Sequence, residues 1–275
     1  MARRIPGRIV IAAIWLLRAA AAQAPPADAK ALLERMAASE AANRRNSAYF
    51  VFREDIRYTE QLPNGTFRRN TTATYEVSIL EGEPYHRRTL LDGRPLDPVE
   101  QAYEEKRMRE VEQYRRTTPL AERRKRYFAA EENRFKVDSA IVLAHHDVTY
   151  SGEESWAGRR CWVIDTAPRS GAPKPKLRSQ WSLSQKIRYW IDQETAFPIH
   201  LVATQLFDFL NSHKGTVTEI TSGLHEGVWL LDRICSEGTH KSGGVKVIYR
   251  TDQKYSGYQR FRSTTNLIFD PGPDN

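Results

Sequence analysis

The spacing of apolar side chains changes along the chain, and each change predicts a different element. Leu32, Leu33 and Met36 recur at intervals of three and four within a run of good helix formers, which predicts one amphipathic helix over residues 27–45. After it the period drops to two. In Tyr49–Tyr58 the side chains of Phe50, Phe52, Ile56 and Tyr58 alternate with Arg53, Asp55 and Arg57, the pattern of a half-buried strand. Glu54 is the one charge on the apolar side. Thr71–Leu80 repeats the alternation, with Tyr75, Val77 and Ile79 together. Similar segments lie at Tyr85–Leu91, Asp147–Glu154, Arg159–Ala167, Lys186–Asp192, Pro198–Phe209, Thr216–Thr221, Val228–Ser236, Val245–Thr251 and from Gly257 to Phe269.

Turn residues stand between them: Asn64-Gly65, Glu81-Gly82, Asp92-Gly93, Ala157-Gly158, Glu226-Gly227 and Gly243-Gly244. About ten strands with short connections predict antiparallel neighbours in a sandwich, a barrel or a large curved sheet. One segment interrupts the series. Asp97-Pro98-Val99-Glu100 reads as an N-cap, a proline at the first helical position and an N3 carboxylate, opening a charged helix to about Arg116. Thr118-Pro119 starts a second helix, running to about Ala130. The apolar stripe of this insert, at about 97–134, is thin (Val99, Tyr103, Val111, Tyr114), so it must lie on, or project from, something larger.

The N-terminus changes the picture. Arg3, Arg4 and Arg8 precede the apolar run Ile9–Leu17, and Ala22-Gln23-Ala24 stands before Pro25-Pro26. That order predicts a signal peptide over 1–24, too short to span a bilayer as a helix. The rest, 25–275, is expected to be one periplasmic or secreted domain. Arg3, Arg4, Arg8 and Arg18 would leave with the signal, lowering the formal charge from +8 to +4. So mild an excess, on an exported chain, argues against nucleic acid as a partner. Export also permits a disulfide between Cys161 and Cys235; the alternative is two separate thiols.

Motifs for chemistry are few. His145 and His146 are adjacent, and neighbours on a strand point to opposite faces, so they suit no shared metal ion. No G-x-S-x-G and no Cys/His motif signals a nucleophile, and no Gly-rich phosphate loop or other cofactor motif is present. Glu54 is the best lone carboxylate for a hydrolase acting on envelope polymers; its plainer reading is a residue near a sheet edge or paired with an arginine. The basic segments Arg115-Arg116, Arg123–Arg126 and Lys174–Arg178 fit solvated faces or an anionic-lipid contact. Aromatic residues concentrate in the strands. They are core, or they line the apolar hollow of a curved sheet.

The aromatic strand YFVFRED, the hairpin into YEVSILEGEPYHRRTLLDGRPL, RCWVID, KIRYWIDQETAFPIHL and EGVWLL together resemble the LolA/RseB-like periplasmic family of lipoprotein carriers and lipoprotein-sorting proteins. The nearest likeness is Trp190-Ile191-Asp192, a turn and Pro198, with Gly227-Val228-Trp229-Leu230 downstream. The resemblance implies a mainly β, α+β fold: a half-barrel of antiparallel strands whose apolar hollow is covered by helices. It implies a non-catalytic protein without a cofactor that binds lipid, acyl chains or lipoproteins, or senses them with another envelope protein. Phe50, Phe52, Tyr75, Val77 and Trp190 are then the expected lining. The charged insert, 98–133, departs from the family picture and would act as a lid or as a docking arm for a partner.

Overall fold

The computed structural model describes residues 28–119, 121–123, 139–176, 178–210 and 212–261. The expected signal peptide, most of the insert's second helix and the expected strand end at 262–269 lie outside them. Helix α1 (Ala29–Ser47) begins where the Asp28 carboxylate accepts the Lys30 N–H. Four strands follow: β1 (Phe50–Gln61), β2 (Phe67–Leu80), β3 (Glu83–Leu91) and the short β4 (Arg94–Pro95). Helices α2 (Pro98–Thr117) and α3 (Ser139–His145) precede β5 (His146–Trp156) and β6 (Arg159–Pro168). A 3-10 segment (Arg178–Ser184) leads into β7 (Gln185–Asp192), β8 (Pro198–Gln205), β9 (Val217–His225), β10 (Val228–Ser242) and β11 (Val245–Arg260).

All eleven strands form one open, curved antiparallel sheet in the order β4-β3-β2-β1-β11-β10-β9-β8-β7-β6-β5. The last strand returns to pair with the first, so β4 and β5 become the two edges and the insert connects them. Five hairpins turn on two residues, both with positive φ: Glu81-Gly82, Asp92-Gly93, Ala157-Gly158, Glu226-Gly227 and Gly243-Gly244. These are the mirror-image turns whose twist matches that of the strands, and glycine at the second position removes the steric cost there. The segments expected at Val245–Thr251 and from Gly257 are one strand. Gly257 (φ 65°) lies in the irregularity where the β1 register slips between Val51 and Arg53.

Direct pairing carries one row of side chains across nine strands: Ile164, Tyr189, Leu201, Ile220, Ile234, Gln253, Ile56, Ala73 and Leu91. Opposed residues in antiparallel strands share a face, so these positions define the inner face. Leu32, Leu33 and Met36 of α1 and Val142 of α3 pack on it against Trp162, Ile164, Tyr189 and Leu201. The row is buried from Ile164 to Ile220 and half-buried from Ile234 to Leu91. Among the described residues, α1 and α3 therefore cover the β6–β9 part of the inner face.

Helix α2 has a different task. It opens with the expected capping box of Asp97 and Glu100. It stands along the β3 edge, where Arg107 donates to the His86 carbonyl and Arg115 to those of Leu80, Glu83 and Pro84. Pro84 and His86 are alternate residues, whose carbonyls an edge strand would leave unpaired. The guanidinium groups thus close that edge. Replacing Arg115 with alanine should lower stability by roughly 2 kcal/mol, from lost bonds to a charged donor. It should also bring concentration-dependent association in light scattering; a monodisperse variant at high concentration would oppose this role for the helix.

The disulfide alternative is corrected here. Cys161 and Cys235 are both free. They sit on β6 and β10, with three strands between, on the order of 19 Å along the sheet, where a bridge needs Cα atoms within about 7 Å.

Candidate functional site

Between the strands under α1 and the edge guarded by α2 lie β11, β1 and β2. The pairing sets two further inner rows there: Tyr255, Glu54, Tyr75 and Arg88, then Phe52, Val77 and His86. Phe52 is the centre of this floor. Its ring meets His86 edge-on at 6.3 Å and Tyr255 at 5.9 Å, and lies 5.2 Å from that of Tyr258. Edge-on and offset contacts of this kind hold the rings in place.

Four of the five expected lining residues share this face, with different exposures. Phe52 and Tyr75 are half-buried, whereas Phe50 and Val77 are 2% exposed. Phe50 is filled around by Val228, Leu230 and Tyr258, so it is a wall of the floor and not open lining. Trp190 is corrected: it pairs with Val163 and His200, one residue off the row through Tyr189, and so points to the opposite face. There its Nε1 donates to Glu154 at 2.7 Å, and its ring lies 4.4 Å from His200, which stacks on Trp156 at 3.6 Å. A shallow depression of about 600 Å³ opens on this outer face, lined by Asp147, Asp165, Lys186, Arg188, Trp190 and Val202 among others. Its charges are partly spent, since Arg188 grips Asp165 through two bonds of 2.8 and 2.9 Å.

Glu54, the charge on the apolar face, is 8% exposed and lies 3.1 Å from His86 Nδ1. Its partner is therefore an imidazole, where the sequence suggested an arginine. Arg88, on β3 with His86, is held by Glu104 of α2 at 3.4 Å. Burial, then the nearby Tyr255, Asp232 and Glu54, push the Tyr258 hydroxyl well above its usual range. It stays protonated and donates a hydrogen bond to the Leu231 carbonyl. A carboxylate and an imidazole are groups used in acid–base chemistry. Here they are set among rings: Glu54 stands between Tyr255 and Tyr75, and the floor is an aromatic surface that also carries His86 and Arg88. Among the described residues, no three His, Cys, Asp or Glu are grouped so as to hold a metal ion. None of their helices is long and apolar enough to cross a membrane.

The covering helix is fastened by the Asp192 turn. Asp192 is 1% exposed and takes bonds from Arg159 Nε (2.6 Å) and from the Thr195 N–H and hydroxyl. Thr195 in turn receives Ser39 of α1 at its carbonyl and the Trp229 Nε1 at its hydroxyl, and Asn43 of α1 bonds the Trp229 backbone twice. Sequence reasoning found this Trp-Ile-Asp turn as a likeness but not as the clasp of α1.

No family model and no curated protein matches the chain. Solved structures similar to it include a DUF1329 family protein from Desulfovibrio piger, 10% identical with a TM-score of 0.35, covering 88% of this chain and 96% of that one. A LolA superfamily protein from Nitrosomonas europaea is 13% identical with a TM-score of 0.34, covering 88% and 97%. The lipoprotein LppX from Mycobacterium tuberculosis is 11% identical with a TM-score of 0.29, covering 83% and 94%.

Proposed function

We propose that this chain is an exported, non-catalytic protein that holds a lipid, an acyl chain or the acyl part of a lipoprotein on the partly covered inner face. The observation that carries the reading is the row from Ile164 to Leu91: apolar but for Gln253 and buried under α1 and α3, it emerges half-buried across β10, β11, β1, β2 and β3. An acyl chain laid along it would gain about 0.8 kcal/mol per buried methylene and would need no specific polar chemistry. The Glu54–His86 pair marks where a polar head group would meet the protein. Export rests on the composition of residues 1–24.

The test is Phe52→Glu, which sets a charge in the middle of the floor. The variant should keep its fold and lose at least tenfold in affinity for a fluorescent fatty acid. Unchanged affinity in a folded variant would remove this face from the account.

A second reading, docking of an envelope protein through the insert, has one observation in its favour. Val99 and Tyr103, one turn apart on α2, are 79% and 61% exposed. Because α2 also closes a sheet edge, deleting the insert would confound that test, and serine at both positions is the cleaner variant.

A further inference from the structure

We propose that one end of the sheet seats on an anionic phospholipid surface. This end carries the β1–β2 and β10–β11 hairpins and the chain that leaves β8. Gln61 pairs with both Ile248 and Phe67, which brings the two hairpins side by side. Lys241 faces Lys246 and Ser242 faces Val245 at the tip of the second. The chain leaves β8 at Gln205 and re-enters the sheet at Val217, which pairs with Glu237 of the same hairpin.

Large apolar side chains stand out into solvent here. Phe67 is 50% exposed, Leu206 37%, Phe207 36%, Leu210 59%, Val245 47% and Ile248 38%. Leu210 is held in the left-handed region, at φ 52°. A soluble surface normally spreads such residues singly, so their convergence on one end is informative. The charges among them are unbalanced. Glu60 is met by Arg68 and Glu237 by Arg250, both at 3.7 Å, while the Asp208 carboxylate keeps its charge, accepting the Lys214 backbone N–H with His213 at 3.7 Å. Lys214, Lys241 and Lys246 are exposed beside them. At the far end the turn glutamates Glu81, Glu194 and Glu226 are each met by an arginine, Arg116, Arg159 and Arg260, so no such excess stands there on these pairs.

Apolar tips set among lysines form an interfacial pattern: the tips enter the acyl boundary while the ammonium groups meet lipid phosphates. A second copy would bring the same lysines together, and an acidic protein surface would leave the apolar tips without a use. The proposal deepens the reading above, since a carrier of acyl chains must meet a membrane. It stands on different residues, so the two can fail separately.

The experiment is flotation of the protein with vesicles of phosphatidylcholine alone, or with phosphatidylglycerol added. Binding should require phosphatidylglycerol and weaken with salt. Phe207→Ser with Leu210→Ser should abolish it. Lys241→Gln with Lys246→Gln should weaken it roughly thirtyfold, at about fivefold per basic residue near a charged membrane. Val99→Ser with Tyr103→Ser on α2 should bind as the parent does, and so should Phe52→Glu even where it loses its fatty acid. Equal binding to phosphatidylcholine, no flotation, or binding that survives both tip variants would overturn the proposal. So would self-association without vesicles that the tip variants remove.

Discussion

Asp192→Ala should destabilise the protein by about 3 kcal/mol at neutral pH, the cost of stripping one partner from a buried, multiply bonded ion pair. Asp192 is 1% exposed, while its partner Arg159 keeps 29% of its side chain in solvent, which places the cost at the lower end of that class. Burial pushes the carboxyl pKa up, but the Arg159 and Thr195 hydrogen bonds outweigh it and hold the pKa below the usual range. The pair is therefore a stabilising contribution above the unfolded carboxylate pKa, and it is lost as pH falls through the folded one. The loss should extend to function. Thr195 and Trp229 anchor Ser39 and Asn43 of α1, so a loosened turn would free a helix that covers part of the inner face. The variant should release a bound fatty acid faster than the parent. Urea unfolding at neutral pH checks the stability; a variant within about 0.5 kcal/mol of the parent, the usual range for a plain surface substitution, would mean that the turn is not a clasp.

Acid should weaken the protein chiefly through one histidine. His146 is 1% exposed at the junction of α3 and β5. Burial, with the nearby His145 and Arg169 adding to it, pushes its pKa down to about 4. The folded state thus refuses a proton that the unfolded state accepts near its ordinary value of about 6.5. The associated stability is complete above about 6.5 and is lost as pH falls towards about 4, in total roughly 3 kcal/mol. His200, enclosed by Trp156 and Trp190, is also pushed down by burial and adds to the loss in the same direction. Unfolding midpoints measured between those limits should fall steeply for the parent and less steeply for His146→Leu. Parallel slopes would show that another group governs the acid limb.

The strands were legible in the sequence for an identifiable reason. The β1–β3 segments alternate because their outer side is solvated, and the X-Gly pairs between strands are what tight hairpins require. The capping box before α2 was legible because it needs only four residues. What failed to show was whatever depends on partners far away in the chain. Strand β7 is buried on both faces, so Tyr189 and Trp190 look equally suited to the inner side, and only pairing with Ile164 or Val163 separates them. Cys161 and Cys235 lie in convincing strands, but the order of those strands decides whether they meet. Helix α3, seven residues of mostly apolar character, is too short to display a helical period. The insert's thin apolar stripe was visible, yet its use was not, because Arg107 and Arg115 act on backbone carbonyls that carry no sequence signal.

The site was half legible for the same reason. Phe52 and Tyr75 emerged from alternation on neighbouring strands of one hairpin. His86, Tyr255 and Tyr258 come from β3 and from the far end of the chain, and nothing local announces that they surround Phe52. Glu54 stands out as a charge in an apolar alternation, and that irregularity marks the Glu54–His86 pair of the floor.

The most direct test of the central claim is mass spectrometry of an organic extract of the protein, purified from an exporting host without detergent. A lipid or acyl species near stoichiometric amount is expected from the parent, and its loss from the folded Phe52→Glu variant. A parent protein that is folded and empty, and that takes up no fatty acid when offered one, would contradict the claim.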